Sequence, residues 1–302
     1  MGRMKRFGII VSTLLLMGVQ SNQQDAAFHQ QPALEDTESS DRSTTVVVVD
    51  ERPLADDETA LEEGVSPEAA TANVFAANLT EHSFEQVPDF RSMTVVSDKK
   101  RAFLEFLAPK VHASNESIQA DRIQLLSVVA RLYIGLTDAD LEQVNALARR
   151  YKVPMTAKTT VRQAIHELLL RVDQIPVSLV LAQGATESGW GTSRFARDAN
   201  NYFGIWCFTA GCGLTPLARD EGRSHQVAHF ETVDAGVRYY MNNINTHRAY
   251  AKFRQLRSAL DPSDQAGLVL ADGLAHYSER GEEYVQDIKG MIRYNQLARF
   301  NP

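Results

Sequence analysis

Apolar residues recur at intervals of three and four along most of the chain beyond residue 91, which is the spacing of one helix face. Between 98 and 107, for example, Phe103, Phe106 and Leu107 fall on one side. This pattern predicts that the region is mainly helical. The expected helices lie at 98–107, 117–133, 160–172, 177–187, 233–246, 249–260, 263–275 and 282–298, with one more that begins after Thr137.

Two signals mark the starts of helices within this pattern. Thr137-Asp138-Ala139-Asp140 resembles a capping box, in which the first and fourth side chains bond to each other's backbone N–H. Pro176 suits the first position of a helix, because its missing N–H would be unbonded there in any case. The helix 177–187 is apolar nearly all round, and we therefore expect it to be central and buried.

The helical pattern is interrupted between residues 201 and 230 by aromatic residues, glycines and two cysteines. Polar and apolar residues alternate from His225 to Phe230, which is typical of a strand rather than a helix. We expect a small β-hairpin within 214–230. The predicted fold class is thus mainly α, with one helical domain over 91–302 that carries a small β-lobe.

The first 90 residues have a different character. Residues 1–21 are predicted to be a signal peptide, since Arg3, Lys5 and Arg6 precede an apolar run, 7–19, that is short for a bilayer span. An uncleaved anchor is the alternative. Residues 22–90 contain sixteen Asp/Glu against two Arg, with few large apolar groups, which predicts a disordered acidic linker.

The remaining part, 91–302, has twenty-six Lys/Arg and twenty-two Asp/Glu, so its net charge is +4. A small positive excess suits an anionic polymer, whereas nucleic-acid binding usually requires a strongly basic patch.

Cys207 and Cys212 are separated by four residues that include a glycine, and a chain of this length can fold back to form a disulfide. Export would permit the bond. The rival interpretation, a metal site, lacks further ligands at zinc spacing. His225 and His229 have no Glu between them, and we expect no metal and no cofactor.

Glu187 is the strongest candidate for chemistry. It closes the apolar helix and is followed at once by Gly189, Trp190 and Gly191. Apolar surroundings and the negative end of a helix both raise the pKa of a carboxyl, and a carboxyl that stays protonated is what a general acid requires. Trp190 would either stack on a sugar ring or pack beneath Glu187. The plain alternative is a helix end whose Glu points into water.

The run Ala182-Gln-Gly-Ala-Thr-Glu-Ser-Gly-Trp-Gly191, followed by Asn200-Asn-Tyr-Phe-Gly-Ile-Trp206, resembles the signature of glycoside hydrolase family 73, the glucosaminidases. The fuller pattern, which includes 241–247 and 277–284, is similar to the Bax-like subgroup. The resemblance covers roughly 91–300. It implies a lysozyme-like helical fold and an enzyme that acts on the glycan strands of peptidoglycan, located in the periplasm or cell envelope.

The resemblance also implies roles for individual positions. Glu187 matches the catalytic acid of the family. Asn201, Tyr202 and Phe203 match a run that lines the substrate cleft. Two tyrosines match as well, of which Tyr277 corresponds to one implicated in catalysis, and Tyr284 to a second family tyrosine seven positions on.

The second carboxylate that glycosidases usually require is harder to assign. Glu221 falls in the region where the family often has a Glu, and Asp220 is its neighbour. A substrate-assisted route, in which the acetamido oxygen of the sugar attacks the anomeric carbon, would need neither. We therefore expect cleavage between N-acetylglucosamine and N-acetylmuramic acid. A lytic transglycosylase and a non-catalytic wall-binding module are the alternatives.

Overall fold

The computed structural model describes residues 86–216, 225–261 and 263–302, which belong to one structural unit and are mainly helical. The α-helices are α1 Val96–Arg131, α2 Asp138–Arg150, α3 Val161–Arg171, α4 Val177–Ser188, α5 Arg194–Ala199, α6 Val233–Thr246, α7 Ala251–Ser258, α8 Ala266–Leu270 and α9 Glu282–Tyr294. Short 3₁₀ turns lie at Arg248–Tyr250, Ala271–Gly273 and Leu297–Phe300. The strands are β1 Trp206–Cys207, β2 Gly213–Leu214 and β3 Gln226–Ala228.

The predicted signal peptide and nearly all of the predicted linker lie outside the described residues. Within the described part, no helix is long and apolar enough to cross a membrane.

Helix α1 includes nearly all of the two predicted segments, 98–107 and 117–133, and the residues between them are helical as well. Pro109 lies inside it, although proline removes one helical hydrogen bond. Contacts with the rest of the fold outweigh this local cost. Asn115 is buried on α1, donates to Ile175 O at 2.8 Å and accepts from Ile175 N at 3.0 Å, which holds the middle of the helix against the start of α4.

Helices α2 and α3 begin at capping boxes. The prediction at Thr137 is confirmed, because its hydroxyl accepts from Asp140 N while the Asp140 carboxylate accepts from Thr137 N. Thr160 and Gln163 form the same arrangement at α3. These two helices pack on the C-terminal half of α1 around a separate apolar cluster. Its buried members are Leu125, Val128, Val144, Leu147, Ala148, Tyr151, Val153, Ala164, Ile165, Leu168 and Val172.

Helix α4 is central, as predicted. Every residue from Val177 to Ala185 is buried, and the helix contacts α1, α8, α9 and the turn Leu297–Phe300. Pro176 precedes the first helical residue instead of occupying it. The N–H of Ser178, which the first turn leaves free, donates to Asn301 Oδ1 at 2.9 Å.

The small β-lobe is a three-stranded antiparallel sheet in the order β1-β3-β2. Val227 of β3 pairs with Trp206 on one side and Leu214 on the other. The predicted hairpin is therefore present in part, but β3 also pairs with a strand outside 214–230. The predicted disulfide is present as well, between Cys207 and Cys212, and it closes the loop that joins β1 to β2.

The last helices are shorter than the apolar pattern predicted. The segment expected as one helix over 263–275 consists of α8 and a 3₁₀ turn, and that turn ends at Gly273. A Cβ on Gly273 would lie 2.4 Å from Phe253 Cα, so the backbone of α7 occupies the space where a side chain would be.

Gly273→Ala should lower the free energy of unfolding by about 1–3 kcal/mol, because the added methyl group overlaps a backbone that cannot move aside cheaply. Gly290→Ala is the matched control, since Gly290 lies inside α9 with open space around its Cα. It should raise stability by up to about 1 kcal/mol through helix propensity. Urea unfolding of both variants measures the difference, and an equal effect at the two positions would contradict the close approach.

Candidate active site

Glu187 lies in the last turn of α4 and is partly exposed, whereas the nine residues Val177–Ala185 of the same helix are buried. The helix ends because Gly189, Trp190 and Gly191 all have positive φ, at 57°, 59° and 80°. Ser188 fastens this turn, donating to Gly184 O at 2.6 Å and accepting from Gly191 N at 2.8 Å. The sharp turn leaves Glu187 at the end of an otherwise buried helix.

The glycine after Trp190 leaves no room for a ligand beside its Cα. A Cβ on Gly191 would lie 2.3 Å from the Phe90 ring, so another part of the chain fills that space. Trp190 itself contacts Phe103 edge to face, with 5.4 Å between ring centroids, and Lys100 Nζ lies 4.9 Å from its ring centre. Of the two roles expected for Trp190, packing accounts for these contacts.

A chain of hydrogen bonds reaches Glu187 from the interior. The Tyr284 hydroxyl of α9 donates to Glu187 Oε1 at 2.9 Å. Gln183 Nε2, one turn earlier on α4, donates to the same Tyr284 oxygen at 2.9 Å. The hydroxyl of Tyr240, on α6, donates to Gln183 Oε1. Three helices thus contribute to the surroundings of one carboxyl.

Burial raises the pKa of Glu187 to about 7, while the hydrogen bond from Tyr284 opposes the shift by stabilising the carboxylate. The direction predicted from the apolar helix is confirmed, with burial as the main cause. Among the described residues, no carboxylate contributes to this shift. A carboxyl with this pKa is partly protonated near neutral pH and can both give and accept a proton.

Tyr277 lies behind Tyr284, with the two rings parallel within 9° and 5.4 Å between their centroids. Its hydroxyl donates to Phe203 O at 2.7 Å, so the bond leads away from Glu187. Both tyrosines are buried, which raises the pKa of each well above its usual value.

The three residues expected to line the substrate cleft have buried side chains. Asn201 is 2% exposed and holds a turn together, donating to Ile205 O and Ala228 O and accepting from Ile205 N. Tyr202 is 1% exposed and packs against α1. Both side chains are buried in contacts between the β-lobe and the rest of the fold, and their predicted contact with substrate stays a prediction.

Phe203 borders a cavity of about 220 Å³ between the β-lobe and α6. Its ring stacks on Tyr240 at 4.1 Å and 11°. The side chains around the cavity are mostly aromatic, and they include Trp206, Phe208, Tyr239, Tyr250 and Tyr277. Tyr277 connects this cavity to the surroundings of Glu187, because it also packs on Tyr284.

Glu221 and Asp220, the two candidates for a second carboxylate, lie outside the described residues. His225, by contrast, stacks flat on Trp206 at 4.0 Å, a packing role in the β-lobe.

Sequence reasoning missed Gln183 and Tyr240. A signal for Gln183 was available, because it precedes Glu187 by four residues and so lies on the same face of α4. Tyr240 carried no such signal, since it is 57 positions from Gln183.

Two comparisons with known proteins found matches. Residues 162–297 match the family model described as mannosyl-glycoprotein endo-beta-N-acetylglucosaminidase. Protein bax of Escherichia coli (strain K12) is 35% identical over 215 residues, which is 70% of this chain and 74% of that protein. The chain belongs to the Bax-like glucosaminidases. No solved structure matched it.

The segment that matches the glucosaminidase model begins in α3 and includes the whole hydrogen-bonded chain from Tyr240 to Glu187. Helices α1 and α2 precede it. Family membership indicates a glycosidase-type enzyme, and Glu187 with the three residues of its hydrogen-bonded chain lies within the matched segment.

Glu187→Gln should raise the melting temperature relative to wild type at pH 8 and have little effect at pH 4. As the pH rises from about 4.5 to 7, the unfolded chain loses the Glu187 proton before the folded protein does, so wild-type stability falls through this window. Glutamine has no proton to lose. Thermal unfolding at pH 4, 6 and 8 measures the difference.

Asp140→Asn should have the opposite effect to Glu187→Gln and lower the melting temperature relative to wild type at neutral pH. The hydrogen bond from Arg131, with 2.9 Å between Nε and Oδ1, holds the pKa of Asp140 well below its usual range. The stabilising effect of the Asp140 carboxylate is present at neutral pH and is lost as the pH falls through the acidic range.

For Glu187→Gln, a difference in melting temperature that does not depend on pH would contradict the raised pKa of Glu187.

Proposed function

We propose that this glucosaminidase is a peptidoglycan hydrolase that cleaves the β-1,4 bond between N-acetylglucosamine and N-acetylmuramic acid, with Glu187 as general acid. The observation that carries the proposal is the position of Glu187, partly exposed at the end of a buried helix, with its pKa raised to about 7. A general acid works best when its pKa lies near the working pH.

The route that we propose is substrate-assisted. Glu187 gives its proton to the glycosidic oxygen, and the bond from that oxygen to the anomeric carbon breaks as the sugar's acetamido oxygen forms a bond to the same carbon. Water then attacks the anomeric carbon, the carboxylate of Glu187 takes the proton, and the acetamido group is released. A protein nucleophile is not required on this route, because the acetamido oxygen of the substrate takes its place.

Glu221 remains the candidate nucleophile or base for the alternative route, with Asp220 as its neighbour. On the substrate-assisted route, Glu221→Gln should cause only a partial loss of turnover, in contrast to Glu187→Gln. Tyr277 is proposed to act by holding Tyr284 in place through ring stacking.

The proposed substrate and location fit two further features. The net charge of +4 over 91–302 suits an anionic wall polymer. The disulfide Cys207–Cys212 is typical of proteins outside the reducing cytoplasm, and we place the enzyme in the periplasm or cell envelope.

The alternative function is that of a lytic transglycosylase, whose reaction also requires a single acid. In that reaction the muramic acid's own hydroxyl group, instead of water, would attack the anomeric carbon, and the product would be an anhydro sugar.

Incubation of the protein with purified peptidoglycan, borohydride reduction and mass spectrometry of the products tests the proposal. We expect reduced N-acetylglucosamine ends, and a loss of turnover of about 10²–10⁴-fold in Glu187→Gln, the range that general acid catalysis contributes. Glu105→Gln, an exposed glutamate on α1, is the matched control and should retain activity.

Other products have defined meanings. Anhydro-muramic ends that vanish in Glu187→Gln would make the protein a transglycosylase with the same acid. Tight binding without any product in wild type would make it a wall-binding module, and near-normal turnover by Glu187→Gln would overturn the site.

A further inference from the structure

The side-chain amide of Gln183 is the polar group near the site whose burial would cost the most free energy if it lacked hydrogen bonds. It is fully buried in the middle of the apolar helix α4, where an amide without hydrogen-bond partners would be strongly destabilising. Both ends of the amide are bonded, the oxygen to Tyr240 and the nitrogen to Tyr284. Such a group is retained in a core when its hydrogen bonds fix something specific.

The polarity of these bonds follows from the chemistry of the groups. The Gln183 oxygen can only accept and its nitrogen can only donate. Because the nitrogen faces Tyr284, the Tyr284 oxygen acts as acceptor toward Gln183. A phenol has one hydrogen, and that hydrogen remains free for Glu187 Oε1, which lies 2.9 Å away.

A fixed donor at Oε1 determines where the acid carries its own proton. Oε1 accepts from Tyr284, so in the protonated state the hydrogen of Glu187 resides on Oε2. After the proton has been transferred, the same bond stabilises the carboxylate that remains.

We propose that Gln183 is a positioning residue, held by Tyr240, that commits the Tyr284 hydroxyl to donate to Glu187 and thereby keeps the transferable proton on Oε2. The inference rests on the proposed role of Glu187 as general acid. Gln183, one turn before Glu187 on α4, and Tyr240, on α6, thus each have a function although neither contacts the carboxyl itself.

Among the groups that face Glu187, the hydrogen-bonded chain through Tyr284 has the most direct effect on the pKa of its carboxyl. Tyr284 on α9, Tyr277 before it, Tyr240 on α6 and Tyr250 in the turn after α6 all interact with the carboxyl electrostatically. Burial raises the pKa of each tyrosine, so they stay neutral while Glu187 titrates. Of these four, Tyr284 alone bonds to Glu187 directly.

The test is a double-mutant cycle read by ¹³C NMR of glutamate carboxyl groups in the full-length protein, with Glu187→Gln identifying the Glu187 signal. Tyr284→Phe should raise the pKa of Glu187 by about 1, the effect of losing one hydrogen bond to a charged group. Gln183→Met, which keeps length and removes the amide, should raise it in the same direction by less.

The decisive result is the double variant. If Gln183 acts through Tyr284, Gln183→Met adds nothing to the pKa of Glu187 once Tyr284 is Phe. Additive shifts, or an unchanged pKa in Gln183→Met, would overturn the proposal. Tyr240→Phe removes the bond that holds the amide oxygen while keeping the ring, and it provides a second variant in case Gln183→Met does not fold.

Tyr202→Phe is the control for loss of a buried phenol, because the Tyr202 hydroxyl has no hydrogen-bond partner among the residues that the structure describes. It should leave the Glu187 signal unchanged.

Kinetics separate this proposal from the proposed function. Gln183→Met should lower kcat about tenfold with little change in KM and shift the alkaline limb of the pH profile upward. The NMR readout does not depend on turnover. If Glu187→Gln keeps its activity, the proposed function fails while the NMR cycle still reports on Gln183.

Discussion

Helix α4 is surrounded by other elements from its first turn to its last, and its final turn therefore brings a carboxyl into a place where charge is disfavoured. The packing of α1, α8 and α9 around α4 creates that place, and the left-handed turn at Gly189–Gly191 ends the helix before the carboxyl can move away. The raised pKa of Glu187 is thus a product of the whole core. Any change that loosens α4 should also change the acid.

Several buried polar side chains complete the arrangement by joining elements that are far apart in the sequence. Asn115 joins α1 to the start of α4, Asn201 joins the end of α5 to the β-lobe, and Gln183 joins α4 to α6 and α9. Each satisfies its own hydrogen bonds, so each specifies one relative placement of its neighbours. The site depends on these placements more than on any local motif.

The sequence predicted what depends on local pattern. The mainly helical class, the buried helix 177–187, the cap at Thr137 and the Cys207–Cys212 bond all follow from neighbouring residues. The continuity of α1 through Pro109 does not follow from the local pattern, and the contact of α1 with Ile175, which lies 60 positions from Asn115, is equally invisible in it. For the same reason the hydrogen bond between Tyr284 and Glu187 was not predicted, although both residues were named, since they lie 97 positions apart.

The covalent loop between β1 and β2 has a thermodynamic consequence for recognition. Phe208 and Thr209 border the aromatic cavity, and both lie inside the ring that Cys207 and Cys212 close. A tethered loop has few conformations to surrender when a ligand arrives, so the entropic penalty of association falls mainly on the ligand. Reduction of the bond would return that conformational freedom to Phe208 and Thr209, and any ligand of the cavity would then have to order the loop as well.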